Sequence, residues 1–357
     1  MNRIPKIVLT GGPCGGKTKA LPFLKEELSG LGYKVYTIEE ATTKLFESDF
    51  GWSEPTLELQ LAIARLQIKL ENELEEIDDD KAVIICDRGL MDCRVYLDDE
   101  DYEKIKRTLG MTDIDLRDRY DAVFHMDSAS VDDGGNYITH KGRRESREEA
   151  SYFNARSLKA WCGNPHYRFI PFCDDFSDKL AILIREVKAF LGIPKPLEIE
   201  RKFLIRYPDT NYLMSLVCAA SEIDQTYLFD DNGRYRLRRR GEGDSCIYIR
   251  TEKKKISDTV REEVETRLTE EEYYAQMLAG KKRGGISKKR YCLMYDGVYY
   301  EIDIFPFWKK QAYLEVELLN EDDEVKIPDF IEVIREVSHD PAYRNSSLCN
   351  KIPEEDI

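Results

Sequence analysis

The sequence has few of the features that mark membrane, secreted or disulfide-stabilised proteins. Its nine cysteines are an odd number, and they form neither a C-x-x-C pair nor a close cluster with histidine. This spacing argues against a disulfide framework or a zinc site and favours a reducing compartment. No apolar run approaches membrane-spanning length, and residues 1–6 lack the apolar stretch of a signal peptide. The sequence therefore predicts a cytoplasmic protein without a transmembrane segment.

Basic residues are also fewer than acidic residues. The chain carries 54 Lys and Arg residues against 69 Asp and Glu residues, which gives a formal net charge of −15. This balance argues against broad nucleic-acid binding, although it is compatible with a local basic pocket. The length of 357 residues is enough for two domains, and the apolar content of 42% allows each of them a core.

The first half of the sequence alternates between strand patterns and helix patterns. The predicted strands are 6–10, 34–38, 82–86, 122–126 and 168–172, and the predicted helices include 17–28, 58–77 and 178–191. The continuous apolar run 82–86 is typical of a strand that is buried on both faces. Strands that alternate with helices predict an α/β domain with a parallel sheet, which we place at residues 1–192.

The pattern changes at Gly192-Ile193-Pro194-Lys195-Pro196, and we interpret residues 193–196 as a stiff linker. Beyond this point charged residues recur at every second position in several segments, which is the period of a β-strand. We therefore expect a second domain at 197–357, built as an antiparallel β-barrel that encloses a tunnel.

A glycine-rich loop directly follows the first predicted strand and matches the pattern G-x-x-x-x-G-K-[ST]. Glycines let the backbone approach phosphate oxygens, the lysine reaches the β- and γ-phosphates, and the hydroxyl binds Mg²⁺. We predict that the loop binds a nucleoside triphosphate, ATP or GTP; a vestigial glycine-rich turn is the alternative. The candidate nucleotide-binding residues are Gly11, Gly12, Pro13, Cys14, Gly15, Gly16, Lys17 and Thr18, of which Thr18 is also a candidate metal ligand.

Acidic residues at two other strand ends are candidates for the chemistry beside this loop. Asp87 follows the buried strand 82–86, where a carboxylate suits metal coordination or deprotonation of an acceptor hydroxyl. The alternative for Asp87 is a helix N-cap. Glu39 and Glu40 end the second strand and are candidates for acceptor binding, with a solvated turn as the alternative.

Three arginines lie in a polar stretch before a predicted helix. Arg143, Arg144 and Arg147 are candidates for a lid that closes over the phosphates and stabilises charge in the transition state. The alternative is a basic, solvated face. The N-K-x-D and D-x-x-G motifs of small GTPases are absent, so no motif indicates a guanine preference.

Over residues 5–191 the sequence resembles the AAA_28 or NadR-type P-loop family, which is related in shape to nucleoside and nucleotide kinases. The resemblance rests on the glycine loop, on Asp87-Arg88, on Asn164-Pro165-His166, and on the later Phe176 and Lys179. It implies nucleotide binding, with kinase-type phosphoryl transfer as a further expectation.

The second half places charged residues on one face of each predicted strand. The strand pairs are Glu198 with Glu200 and Lys202; Arg234, Arg236, Arg238 and Arg240; Arg261, Glu263 and Glu265; Lys288 with Arg290; Glu301 with Asp303; and Glu315 with Glu317. A single such strand is explained by a solvated face. Several in succession favour a hydrated, charged interior, in which acidic residues need a cation and basic residues match a polyphosphate. All-oxygen ligands select hard ions such as Mg²⁺ or Mn²⁺.

These charged residues, in their order along about residues 196–350, resemble the CYTH or triphosphate tunnel metalloenzyme superfamily. Residues 198–202 match the E-x-E-x-K signature of this superfamily. Members hydrolyse inorganic triphosphate, thiamine triphosphate or RNA 5′-triphosphate ends, or cyclise ATP. The implied metal ligands are Glu198, Glu200, Glu315 and Glu317, and the ordered set adds Glu263, Glu265 and Asp303. The implied triphosphate-binding residues are Arg236, Arg238, Lys288 and Arg290, with Lys253 and Arg261 added, and Lys202 assists the attacking water or a phosphate.

The order of the two domains also resembles the TRPL translocation defect protein family, which is associated with GTP and phosphoinositide binding. The sequence thus predicts a nucleotide-binding P-loop domain with a metal-dependent triphosphatase tunnel. The alternative is a regulatory protein that binds GTP or ATP and phosphoinositide headgroups without significant catalysis.

Overall fold

The structure is a computed structural model, and it describes residues 4–41, 56–75, 77, 79, 81–131, 146–195, 197–230, 233–256 and 260–355. Within this range the side chains of residues 198, 254, 255 and 260–262 are left out of the description. The chain divides into two units, Met1–Arg185 and Glu186–Ile357. The division falls inside a helix, and the linker at 193–196 stays a prediction. Among the described helices, none combines the length and the apolar character that a membrane span requires.

The first unit contains a five-stranded sheet in the order β2-β3-β1-β4-β5, and its neighbouring strands are parallel. Its strands are β1 (Lys6–Thr10), β2 (Lys34–Ile38), β3 (Ala82–Asp87), β4 (Ala122–Met126) and β5 (Tyr167–Ile170). Its helices are α1 (Lys17–Gly30), α2 (Leu57–Glu75), α3 (Cys93–Tyr96), α4 (Asp99–Leu109), α5 (Asp113–Arg117), α6 (Arg147–Trp161) and α7 (Phe176–Phe190). The predicted α/β class is confirmed.

The three central strands of this sheet are apolar because both of their faces are covered. Every residue of β1, β3 and β4 is buried. Their carboxyl ends lie side by side, since β1 pairs with β3 on one edge and with β4 on the other. Residues that follow these strands therefore meet at one edge of the sheet, which is where ligands bind in open α/β folds.

The second unit is an antiparallel sheet of nine strands in the order β10-β9-β8-β7-β11-β12-β13-β6-β14. The strands are β6 (Leu197–Arg206), β7 (Cys218–Asp230), β8 (Gly233–Glu242), β9 (Ser245–Lys255), β10 (Val260–Leu268), β11 (Lys281–Tyr295), β12 (Val298–Ile304), β13 (Gln311–Leu318) and β14 (Val333–Glu336). The helices are α8 (Thr210–Ser215), α9 (Glu270–Ala279) and α10 (Asn345–Leu348). An additional pairing of β10 with β6 closes the sheet on itself, which confirms the predicted tunnel-like fold.

The register places the alternating charges on one common face. In an antiparallel sheet, residues directly opposite each other point to the same side. Glu315 lies opposite Lys202 and opposite Glu301, and Arg290 lies opposite Asp303. Around the remaining strands the same face carries pairs such as Gln225 with Arg238 and Thr251 with Glu265, and it returns to β6 at Arg261 with Glu198. This face is the interior of the closed sheet, which we call the tunnel.

Apolar side chains fill one end of the tunnel. Leu204, Tyr313 and Phe305 share the interior face and pack with the C-terminal residues Tyr343 and Leu348 in one buried cluster. A second cluster, which includes Phe203, Leu314 and Ile302, lies on the opposite face of the same strands. The wall is thus stabilised by apolar packing on its outside, and this arrangement leaves the charged residues together inside.

Candidate active sites

The loop between β1 and α1 has the backbone conformation that only glycine adopts easily at its key positions. Gly11 has a φ of 126° and Gly16 has a φ of 85°. A Cβ atom at Gly11 would lie 2.2 Å from the carbonyl oxygen of Met126, so the loop passes directly over the end of β4. Cys14 also adopts a positive φ, of 61°, which is compatible with its predicted place in the turn.

Lys17 is folded onto the loop at the start of α1. Its side chain is buried, and its Nζ donates hydrogen bonds to the carbonyl oxygens of Gly11 (2.9 Å) and Gly12 (2.8 Å). Burial, and after it the positive charge of Arg88, lower the pKa of Lys17 to about 7. The ammonium group is therefore poorly compensated, which suits it to an anionic ligand.

Asp87 contacts the same loop from the end of β3. The Thr18 hydroxyl donates a 2.5 Å hydrogen bond to Asp87 Oδ2, whereas Oδ1 is buried and makes no hydrogen bond within the described residues. Burial raises the pKa of this carboxyl above its ordinary value, although Lys17 partly opposes the shift. The cap position of the next helical turn belongs to Gly89, so the described structure gives Asp87 no capping role.

Arg88 lies between the loop and the acidic end of β2. Its Nε donates to Glu40 Oε1 (2.6 Å), and its NH1 donates to the carbonyl oxygen of Gly11 (3.3 Å). Burial alone would raise the pKa of Glu40, but Arg88 and Lys17 hold it below its ordinary value. Glu40 is thus brought to the loop as an ionised carboxylate, while its neighbour Glu39 is exposed.

Of the three predicted lid arginines, only one lies in the described part of the chain. Arg147 begins α6, and its Nε donates to the carbonyl oxygen of Ser130 (3.0 Å). Arg143 and Arg144 lie outside the described residues, so their predicted role stays a prediction.

In the tunnel, one cluster of ion pairs joins β6, β11, β12 and β13. Lys202 Nζ lies 2.7 Å from Glu315 Oε1, and Arg290 NH2 lies 2.6 Å from Glu315 Oε2. Arg290 also binds both oxygens of Asp303, at 2.7 Å each, and forms an ion pair with Glu301. Lys288 completes the cluster through an ion pair with Asp303. The predicted Lys202, Lys288, Arg290, Asp303 and Glu315 are therefore brought together.

The protonation of this cluster follows from its ion pairs. Burial opposes the charge of Lys202, but Glu315, Glu200 and Asp303 raise its pKa above the ordinary value. Burial likewise opposes the charge of Glu315, yet Lys202, Lys288 and Arg290 hold its pKa well below the usual range. Lys288 behaves differently, because burial and the neighbouring Arg290 lower its pKa to about 8.

A second cluster lies on β8, β9 and β10. Arg236 NH2 lies 3.4 Å from Glu263 Oε1 and 3.3 Å from Glu265 Oε1, and Lys253 forms an ion pair with Glu263. Arg238 is the least compensated member, since its one ion pair in the described structure is with Glu265 at 3.8 Å. Its buried Nε makes no hydrogen bond there, and burial, Arg236 and Arg290 lower its pKa.

The remaining predicted metal ligands lie on β6 and β13. Glu200 and Glu317 are directly opposite each other on neighbouring strands, on the interior face. Glu198 and Arg261 are also opposite each other, but their side chains lie outside the description. Across the side chains that are described, no three acidic, histidine or cysteine residues form a group arranged to hold a metal.

The structure gives contacts to interior residues that the sequence places on a charged face without a role. Arg240 is buried and continues the row of Arg236 and Arg238, and Glu301 forms an ion pair with Arg290. Their period-two spacing indicates the face but not these contacts. Ser338 is different, because it comes from the segment after β14 and accepts a 2.9 Å hydrogen bond from the backbone N–H of Lys202. No spacing in the sequence signals that contact.

A model of a known family matches part of the first unit. The profile of the AAA domain family AAA_28 matches residues 6–176. No curated protein matches. The solved structures that match include the inorganic triphosphatase NE1496, which is 27% identical, with coverage of 44% of this chain and 97% of that chain and a TM-score of 0.29.

Two further matches have lower identity. PH1819 protein from Pyrococcus horikoshii OT3 is 18% identical, with coverage of 35% of this chain and 80% of that chain and a TM-score of 0.26. The putative adenylyl cyclase HpAC1 from Hippeastrum is described as having a dominant triphosphatase activity. It is 13% identical, with coverage of 34% of this chain and 80% of that chain and a TM-score of 0.25. At TM-scores this low, a structural likeness supports no inference. The chain thus resembles, as its sequence predicts, an AAA_28 P-loop domain followed by an antiparallel tunnel domain.

Proposed function

We propose that the tunnel binds and hydrolyses a triphosphate with the help of Mg²⁺ or Mn²⁺, and that the first unit binds ATP or GTP and transfers its terminal phosphoryl group. The observation that carries the tunnel proposal is the state of Arg238. A buried guanidinium with an unbonded Nε, beside Arg236 and Arg290, is a local excess of positive charge. Phosphate oxygens match arginine through paired, charge-assisted hydrogen bonds, so a polyphosphate would compensate this excess.

The carboxylates of the tunnel differ in their neighbours across the sheet. Asp303 and Glu315 are already bound by lysine and arginine. Glu200 and Glu317 lie directly opposite each other on the neighbouring strands β6 and β13, so that both carboxylates could reach one ion. We propose that these two glutamates, with Glu198, hold the divalent ion. Such an ion would neutralise charge on the bound phosphate oxygens.

The residues of the tunnel have separate tasks in hydrolysis. Water attacks the terminal phosphorus, the bond from this phosphorus to the bridging oxygen breaks, the diphosphate leaves with the bonding electrons, and the proton of the water is released to the solvent. Arg236, Arg238 and Arg290 would stabilise the charge that spreads over the phosphate oxygens. Lys202 has a raised pKa and stays protonated, so it can bind an oxygen but cannot accept a proton from water. Lys288, whose pKa is about 8, is better placed to exchange a proton near neutral pH.

In the first unit, Lys17, Thr18 and Asp87 form the phosphate and metal end of the site. The unbonded Oδ1 of Asp87 beside the Thr18 hydroxyl fits an Mg²⁺ ion or one of its waters. Glu40 would accept the proton of the acceptor hydroxyl, and Arg88 orients it through the 2.6 Å hydrogen bond. Replacing Asp87 by Asn should reduce phosphoryl transfer or nucleotide hydrolysis more than nucleotide affinity. Unchanged turnover would remove Asp87 from the reaction.

The tunnel proposal is tested by release of phosphate from inorganic tripolyphosphate with Mg²⁺ or Mn²⁺. Arg238→Gln should lower kcat/KM by about tenfold to a hundredfold, the size of a lost charge-assisted hydrogen bond. The neighbouring Arg239 is a matched control because it alternates to the outer face, where it lies 3.6 Å from Asp224. Arg239→Gln should leave the rate unchanged.

Equal rates for both variants and the parent would contradict the tunnel site. Binding of tripolyphosphate without any release of phosphate, at every metal concentration tested, would instead support the non-catalytic alternative. Calorimetry on the same proteins separates these outcomes, since it measures binding whether or not the chemistry occurs.

A further inference from the structure

One residue of helix α6 is bonded directly to the backbone of the phosphate loop. Asn154 is buried, with 6% of its surface exposed. Its Oδ1 accepts a 3.0 Å hydrogen bond from the N–H of Gly12, and its Nδ2 donates a 2.6 Å hydrogen bond to Asp127 Oδ1. The amide thus connects two elements that follow neighbouring strands, the loop after β1 and the turn after β4.

The loop and the helix touch so closely that a side chain on Gly12 would not fit. A Cβ atom at Gly12 would lie 2.6 Å from the Cβ of Asn154 and 3.0 Å from the carbonyl oxygen of Ala150. The turn that holds the other end of the amide is itself fixed. The N–H of Ser128 donates to Asp127 Oδ1 at 3.1 Å, and the hydroxyl of Ser128 donates to the carbonyl oxygen of Pro13.

This contact restricts the backbone of a glycine-rich loop, which is flexible when nothing holds it. Glycine loses more backbone entropy on ordering than any other residue, so a loop of this composition is costly to hold in one conformation. A loop that is ordered before the ligand arrives binds more tightly, because that cost has already been met. The Gly12 N–H is bonded to Asn154, and the Gly12 carbonyl oxygen accepts from the Gly15 N–H (3.3 Å), so Gly12 is held on both sides of its backbone.

We propose that Asn154 is a positioning residue of the phosphate loop, which holds Gly12 so that the following N–H groups converge on the phosphates of a nucleotide. The role rests on the proposed nucleotide binding of the first unit. It requires both hydrogen bonds of the amide, one accepted from the loop and one donated to Asp127.

The hydrogen bonds of Asn154 can be tested by exchanging the amide at position 154 with the carboxylate at position 127. Asn154→Asp keeps the acceptor for Gly12 but places a second carboxylate against Asp127. We expect ATP or GTP to bind about tenfold to a hundredfold more weakly, the size of one charge-assisted hydrogen bond. Adding Asp127→Asn removes the second carboxylate and lets the amide of residue 127 donate to the carboxylate at position 154, but it takes the acceptor away from the Ser128 N–H. The double variant should therefore recover most of the lost affinity, and not all of it.

Ser157 provides a matched control on the same face of α6. Its hydroxyl lies 2.9 Å from the Thr10 hydroxyl, so it contacts the strand and not the loop. Ser157→Ala should lower thermal stability without changing nucleotide affinity. An Asn154→Asp variant that binds as tightly as the parent, or a double variant that recovers stability but not affinity, overturns the positioning role.

A second readout does not depend on binding. Amide hydrogen exchange of the loop, measured without nucleotide, should be faster in Asn154→Asp and return most of the way to the parent rate in the double variant. Unchanged exchange in the single variant would overturn the proposal by itself. If the parent binds no nucleotide but the exchange pattern follows the swap, the proposed function fails while the anchoring of the loop stands.

Discussion

At the scale of single residues, burial decides the charge of the phosphate-loop lysine. Lys17 has a pKa of about 7, because its ammonium group is buried and lies near Arg88. Close to neutral pH, a large fraction of the free protein therefore carries an uncharged Lys17. A bound triphosphate favours the charged form, so nucleotide binding and protonation of this lysine are linked.

This linkage predicts that nucleotide binding takes up protons above neutral pH. At pH 8 most Lys17 side chains are neutral in the free protein and charged in the complex, so uptake should approach about one proton per nucleotide. The affinity for nucleotide should fall as the pH rises from 7 to 9, because binding requires Lys17 to be protonated and the concentration of protons falls. Calorimetry in two buffers with different ionisation enthalpies measures the uptake.

Lys17→Arg is the control for this linkage, since a guanidinium stays protonated throughout the range. Its proton uptake should be close to zero at pH 8. Equal proton uptake by the parent and Lys17→Arg would assign the linkage to another group.

At the scale of elements, strand β6 changes partner along one of its edges. It pairs with β10 at residues 197–199 and with β14 at residues 203–205. Between these segments the N–H of Lys202 donates to the Ser338 hydroxyl, and that hydroxyl donates to Glu336 Oε1 at 2.7 Å. A side chain thus accepts from the N–H of the tunnel lysine, while the carbonyl oxygen of Lys202 accepts from the backbone N–H of Val337 (2.8 Å).

We expect the Ser338 hydroxyl to set the position of Lys202 in the tunnel. Ser338→Ala removes the acceptor of a buried N–H, which costs about 1–3 kcal/mol. Tripolyphosphate affinity should fall by at least a few fold, and Ser338→Thr, which keeps the hydroxyl, should retain it. Affinities of the three proteins by calorimetry, with thermal melting to confirm folding, decide the matter. Parent-like affinity in Ser338→Ala would show that the bond stabilises the strand only.

Strands β6 and β13 also supply the opposed pair Glu200 and Glu317. Replacing both by Gln removes a like-charge repulsion, so without metal the melting temperature should stay level or rise. Added Mg²⁺ or Mn²⁺ should stabilise the parent but not the double variant, because an ion that binds only the folded state raises its stability. Glu332→Gln, at an exposed residue paired with Arg206, is the control. Equal metal-induced shifts in the parent and the double variant would exclude these glutamates as ligands.

At the scale of the whole molecule, the two candidate sites are built on separate units. Lys17→Ala should therefore abolish nucleotide binding while the tripolyphosphatase rate of the tunnel stays within about twofold of the parent, as expected for sites that share no residue. The measurement is calorimetry with ATP and GTP beside a phosphate-release assay on the same variant. A simultaneous loss of both activities would reveal coupling between the units.

Much of this architecture follows from local patterns. The glycine loop needs positive φ angles at fixed positions, and the apolar runs of β1, β3 and β4 need burial on both faces, so short stretches of sequence are sufficient to indicate them. The tunnel face follows in the same way, because a strand has a period of two. The interior residues could therefore be chosen from parity alone, before any strand was paired with another.

What the tertiary structure alone decided is which of these residues meet. The sequence treats Glu200, Glu315 and Glu317 alike, whereas strand register places Glu315 between Lys202 and Arg290 and leaves Glu200 opposite Glu317. Asn154 and Gly12 are 142 residues apart, and Ser338 and Lys202 are 136 apart. Sequence periodicity reports the face on which a side chain lies. Its partner across the sheet, and with it the charge and pKa, depends on long-range pairing that no local pattern encodes.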